Sequence, residues 1–196
     1  MHSNHPTLVD LVVRGELSLI RKVMLAVGGS LLLWASAKLQ VPFHPVPMTM
    51  QTFVVLMIGT AYGWRLGAAT IFLYLMQGAL GMPVFAGTPE MGIGLAYMIG
   101  PTGGYLIGYL AAAIATGMLA GLGWDRRAST VVLSMVIGNV LIYVFGLTWL
   151  GIVVGWDKPV LSWGLTPFIP GDVLKLILAA VILPLTWRLV DGRCRD

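Results

Sequence analysis

A chain of 196 residues that is 58% hydrophobic and only 10% charged cannot cover a water-facing surface, where soluble domains use about 25% charged residues; it can cover a lipid-facing one. Its net charge of +4 is spread over short clusters and not gathered into one basic stripe interleaved with aromatics, which excludes a nucleic-acid-binding face. The single cysteine, Cys194, excludes an internal disulfide and a cysteine-based metal site, and His2, His5 and His44 lack metal-ligand spacing.

At this length the chain is one domain. It divides into a cytoplasmic or interfacial N-terminal segment over 1–22, a membrane domain over 23–190 and a cytoplasmic tail over 191–196. Asp10–Lys22 reads as an interfacial amphipathic helix, with Leu11, Val12, Leu17, Leu19 and Ile20 set among charges at helical spacing. A bilayer core takes about 20 helical residues to cross, and the apolar runs predict spans over Val23–Leu39, Met50–Tyr62, Leu66–Leu80, Thr102–Leu122, Thr130–Val154 and Gly171–Val190. A single long helix through 50–80 would bury Arg65, at about 2.5–3.5 kcal/mol. It would also leave five spans and put Arg188, Arg193 and Arg195 outside. Six spans place nine of the twelve Lys and Arg inside: 14, 21, 22, 65, 126, 127, 188, 193 and 195. The expectation is therefore an all-α integral membrane protein of six transmembrane helices, multi-pass in the cell membrane, with both termini cytoplasmic. Ala35-Ser36-Ala37 has the form of a signal-peptide cleavage site, but the 22 residues before the apolar run are long for a signal n-region.

Two outer loops separate these spans. Gln40–Thr49 holds Pro42, Pro45 and Pro47, so it is extended and stiff. Gly81–Pro101 is glycine-rich, with Glu90 its only charge. Its apolar Val84, Phe85 and Leu95 predict a loop that folds back over the bundle, and long ordered loops are often functional.

Asp172 and Lys175 lie three apart at the start of the last helix, so they share a face. Pro170-Gly171-Asp172 has the form of a helix start, where a carboxylate complements the dipole. The structural reading is a cap and an outward-snorkelling lysine. The functional one is a site, because ionisable groups within spans usually face the interior. Lys38, ending the first span, reads as snorkelling to the outer interface. Asn139 is either glue between helices or a ligand contact. Tyr143, Phe145 and Trp149 follow it, Trp149 as an interface anchor. Gly104 with Gly108, Gly117 with Gly121, and Ala26 with Ser30 mark close helix contacts. The chain has no G-x-x-x-x-G-K-[ST], H-E-x-x-H or G-x-S-x-G sequence, hence no P-loop, zinc-protease helix or serine elbow.

Four motifs carry a resemblance: Pro47-Met-Thr-Met-Gln51-Thr-Phe53, Gly81-Met-Pro-Val-Phe85-Ala-Gly87, Gly100-Pro-Thr-Gly-Gly-Tyr105-Leu-Ile-Gly108 and Phe168-Ile-Pro-Gly-Asp172-Val-Leu-Lys175. In this order, over about residues 20 to 190, the chain resembles the BioY family, the substrate-binding S components of energy-coupling factor (ECF) transporters for biotin. The resemblance implies the S-component fold, a transported biotin instead of a cofactor, no enzymatic activity, and uptake driven by a transmembrane coupling protein and cytoplasmic ATPase subunits, in keeping with the missing P-loop. It implies that the first helix docks on the coupling protein, through Ala26 and Ser30. Biotin's ureido ring has two N–H donors and one carbonyl. Asp172 is then expected to accept from an N–H and Lys175 to donate to the carbonyl. Phe85, Tyr105, Tyr143 and Phe145 would wall the apolar part, Gln51 would help close the pocket, and Gly87 and Asn139 join the candidate ligand contacts. For the carboxylate, residues 81–122 contain neither asparagine nor arginine. Backbone N–H groups at Gly87 or Gly104, a tyrosine hydroxyl and Lys38 all stay open. Two further readings are an S component for another vitamin and an intramembrane enzyme using Asp172 and Lys175 as acid and base.

Overall fold

The computed structural model describes residues 6–12 and 18–193. Arg14, Leu17, Cys194, Arg195, His2 and His5 lie outside the described residues, as does the side chain of Arg193. Among the described residues, five helices are long and apolar enough to cross a membrane.

The chain opens with a short helix, α1 (Leu8–Val12). It is followed by α2 (Leu19–Lys38), whose first turn is capped by Ser18 accepting from the Arg21 N–H at 3.4 Å. The cap places residues 19–22 in the first long helix; Asp10–Lys22 is not one separate interfacial helix. The proline-rich loop is a small hairpin, β1 (Gln40–Val41) against antiparallel β2 (Met48–Thr49), with Gln40 opposite Thr49.

The next helix, α3 (Gln51–Ala79), is broken in its middle by Gly63, at φ 75° and ψ 169°. Only glycine holds that conformation without strain. The two arms fold back along each other. Gln51 Nε2 donates to the Tyr74 hydroxyl at 2.6 Å across 23 residues, a separation that in a straight helix would span about 35 Å. A Cβ on Gly67 would lie 3.1 Å from Gly59 Cα. Arg65 therefore stands beside a reversal of the chain, not in the middle of a long apolar helix.

A loop with a one-turn helix, α4 (Gly94–Ile99), leads to α5 (Gly103–Ala120) and α6 (Ala128–Val154). After α7 (Val160–Gly164) and a 3-10 turn over Thr166–Phe168 comes α8 (Ile169–Arg193). Missing side chains set the closest approaches. A Cβ on Gly59 would meet the Ala113 carbonyl at 2.6 Å, one on Gly108 would meet Ile142 Cα at 2.8 Å, and one on Gly117 would run into the Trp64 backbone. The α3 hairpin, α5 and α6 thus pack as one block around Tyr74, Ile71, Met135 and Ile142, all essentially inaccessible.

On α2, Ala26 and Ser30 face this block. Ser30 is 1% exposed and donates to Gln77. These two residues are therefore an internal helix contact and leave the expectation of an outward docking pair uncorroborated. The bare face of α2 carries Met24, Val27, Gly28, Leu31, Leu32 and Ala35. A comparably bare apolar face on α8 includes Val173, Leu174, Ile177, Val181 and Leu185.

The two ends of the bundle differ in charge. At one end Gly117 touches the Gly63–Trp64 reversal, and the Trp187 indole donates to Asp125 at 2.8 Å. The Arg126 guanidinium lies 4.4 Å from the centre of the Trp187 ring. Arg65, Arg126, Arg127 and Arg188 gather there. The other end holds the hairpin, α4, α7 and the start of α8, with Lys38, Lys158 and Lys175.

Candidate ligand-binding site

The start of α8 aims Asp172 and Lys175 inward. Their side chains are 10% and 8% exposed, and Lys175 Nζ meets Asp172 Oδ1 at 3.1 Å. Lys175 also donates to Thr52 Oγ1 at 2.8 Å, and the Tyr143 hydroxyl donates to Asp172 Oδ2. The geometry is that of an inward-facing pair, not of a cap and an outward lysine. Among the described residues Asp172 accepts no helix N–H, and Lys175 does not snorkel. A buried ion pair is costly to desolvate and contributes little net stability, which fits a pair kept for binding.

Above the pair opens a small cleft between the start of α8, the inner faces of α3, α5 and α6, and the two outer loops. Asp172, Lys175, Thr52 and Gln51 supply polar groups at its walls, and Tyr97, Tyr105, Tyr109, Tyr143 and Phe168 supply aromatic surface. Val46 and Pro47 from the hairpin and Ala86 from the long loop complete the lining. The Tyr105 ring stands edge-on to Tyr143, and its hydroxyl is tied to the Gly164 carbonyl at 2.8 Å. Burial pushes the Tyr97 hydroxyl above its ordinary titration range, so it stays neutral.

Gln51, Tyr105, Tyr143, Asp172 and Lys175 come together here. Gln51 is 3% exposed and spends its amide N–H on Tyr74, which in turn donates to the Val84 carbonyl at 2.8 Å. It therefore also ties both arms of α3 to the long loop. The expected Phe85, Gly87, Phe145 and Asn139 do not line this cleft. Phe85 stacks on Tyr97 at 4.9 Å and sits edge-on to Tyr74, behind the wall. Gly87, at φ 68°, packs on Met91. Phe145 is 41% exposed, on the outside of α6. Asn139 lines a separate small cavity with Met135, Leu56, Phe53, Thr52 and Lys175, and its Oδ1 has no hydrogen-bond partner. Trp149 pins α6 to the loop through the Gly100 carbonyl at 3.0 Å.

Sequence reasoning missed Thr52, Tyr97, Tyr109 and Ala86 as lining residues. Tyr109 follows Tyr105 by four, on the same helix face, so periodicity would have found it. Tyr97 and Ala86 depend on the path of a loop, for which no period exists.

The sequence pattern of the BioY family matches residues 5–192. A protein of Pyrococcus horikoshii named as a probable biotin transporter BioY is 40% identical over 146 residues, covering 74% of this chain and 83% of that one. The biotin transporter BioY of Rhizobium etli is 36% identical over 147 residues, covering 71% and 77%, and that of Thermotoga maritima is 34% identical over 153 residues, covering 77% and 86%. Among solved structures, the S-component for biotin from an ECF-type ABC transporter has a similar fold, with a TM-score of 0.72 over 86% of this chain and 92% of that one, at 24% identity.

Proposed function

The chain belongs to the BioY family, and on that premise we propose that it is the biotin-binding S component of an ECF transporter, a multi-pass protein of the cell membrane and not an enzyme. The observation that carries this reading is the buried Asp172–Lys175 pair at an aromatic cleft. An ammonium and a carboxylate side by side match a ureido group, which presents a carbonyl acceptor beside two N–H donors. Tyr105, Tyr143 and Phe168 offer surface to the thiophane ring and the aliphatic tail. Six crossings with both termini cytoplasmic are supported by the reversal at Gly63 and by the collection of arginines at one end.

Uptake would need a coupling protein and ATPase subunits, since the chain has no phosphate-cradling motif of its own. The bare face of α2 around Gly28 and Ala35 is the docking surface proposed in place of Ala26 and Ser30. A Cβ on Gly28 would meet nothing within 4 Å, so that stretch is open to a close-packing helix.

The test uses detergent-purified protein. It is denatured and its supernatant assayed for biotin, and ligand-free protein is titrated calorimetrically with biotin and with other water-soluble vitamins. The expected result is one biotin per chain and competition by desthiobiotin, which keeps the ureido ring. Stoichiometric binding of a different vitamin, with none of biotin, would overturn the substrate assignment.

A further inference from the structure

Biotin ends in a carboxylate at the tail, far from the ureido ring. The one ammonium lining the cleft, Lys175, is already bonded to Asp172 and Thr52. At the same end of the bundle Lys158 is exposed and paired with Asp157 at 3.3 Å. Lys38 is different. Its Nζ donates to the Phe85 carbonyl at 3.2 Å and to the Thr88 carbonyl and Oγ1 at 3.1 Å each. All three donors meet neutral acceptors, and among the described residues no carboxylate lies within 4 Å of it. The segment it grips is buried, with Phe85 1%, Ala86 4% and Thr88 7% exposed. Ala86, held between these anchor points, is part of the cleft wall.

A positive charge with no carboxylate beside it is thus fixed just behind a wall of the cleft, where among the described residues no other unpaired cation serves an anionic tail. We propose that Lys38 is a specificity-determining residue: it seats the 85–88 segment and supplies the positive potential that selects a ligand whose tail ends in an anion. This rests on the biotin reading above. Snorkelling alone leaves a terminal ammonium in water and does not explain three bonds into one buried segment. The expected preference is at least tenfold for biotin over its neutral carboxamide.

The experiment measures affinities of wild type, Lys38→Met and Lys38→Arg for biotin and for biotinamide, in detergent at two salt concentrations. Wild type should prefer biotin, and the preference should shrink at high salt, because exposed charges are screened. Lys38→Met should weaken both ligands through the loosened segment, but biotin at least tenfold more than biotinamide. Lys38→Arg should keep a preference for biotin. Equal losses for both ligands in Lys38→Met would make Lys38 a clamp only and overturn the proposal. So would a wild type that binds the two ligands equally at both salt concentrations, a readout independent of whether any variant folds. A wild type that binds neither ligand would instead sink the biotin assignment, and this inference with it.

Discussion

A carboxylate offers about four acceptor positions, and Asp172 uses its two oxygens on Lys175 and Tyr143, leaving lone pairs for a ligand N–H. Asp172→Asn and Lys175→Met are each expected to weaken biotin binding at least tenfold without unfolding the protein. Each removes a charge-assisted contact of about 1.5–3 kcal/mol, one to two decades in affinity. Calorimetric titration beside melting curves checks this; affinities within threefold of wild type in both variants would make the pair structural. Asn139 poses a different question, because it lines a small cavity with Lys175 and its Oδ1 accepts from no donor. A carbonyl oxygen buried without a donor is desolvated with no hydrogen bond in return, so removing it forfeits none. Asn139→Leu is therefore expected to melt within about 2 °C of wild type, under ~1 kcal/mol for a chain of this size. A much larger drop would restore the asparagine as glue between helices.

Among the elements, the α3 hairpin depends most on a single residue. Gly63→Ala would force a side chain into a conformation that costs about 1–3 kcal/mol, with its Cβ 3.0 Å from Thr7 Cγ2. The expected melting temperature falls by roughly 2–12 °C, and Gly28→Ala, where nothing is near, serves as the control with an unchanged melting temperature. Equal stability in both variants would mean that the reversal does not need glycine. The charge on Arg65 made this break legible in the sequence, since a cation cannot sit in mid-membrane. The shared face of Asp172 and Lys175 was legible from a spacing of three. Ala26 and Ser30 were not assignable to a surface, because small residues mark any close approach and do not say on which side the neighbour lies. Phe85 was misplaced for another reason: a buried aromatic in a loop has no periodicity to show whether it lines a cavity or backs its wall.

For the molecule as a whole, the proposed orientation puts the arginine-rich end inside. In a Cys194→Ser background, cysteines placed at 65 and 126 should resist an impermeant thiol reagent applied outside cells, and those at the exposed positions 90 and 156 should react. Efficient labelling at 65 would reject six crossings. In that orientation Trp64 and Arg65 at the reversal would sit at the inner membrane boundary, which would set a depth for everything above them. At 1.5 Å per residue the arms of the hairpin, 51–62 and 64–79, reach about 18 and 24 Å, short of the roughly 30 Å hydrocarbon layer. In the proposed orientation, with Arg65 at the inner boundary, their outer ends would stop below the lipid headgroups, and the 40–50 hairpin and the 80–101 loop would descend to meet them. Gln51 and Asp172, which line the cleft, would then lie at that depth. A water-soluble ligand must shed its hydration to a depth where the surrounding solvent is acyl chain, and a thicker bilayer deepens the descent.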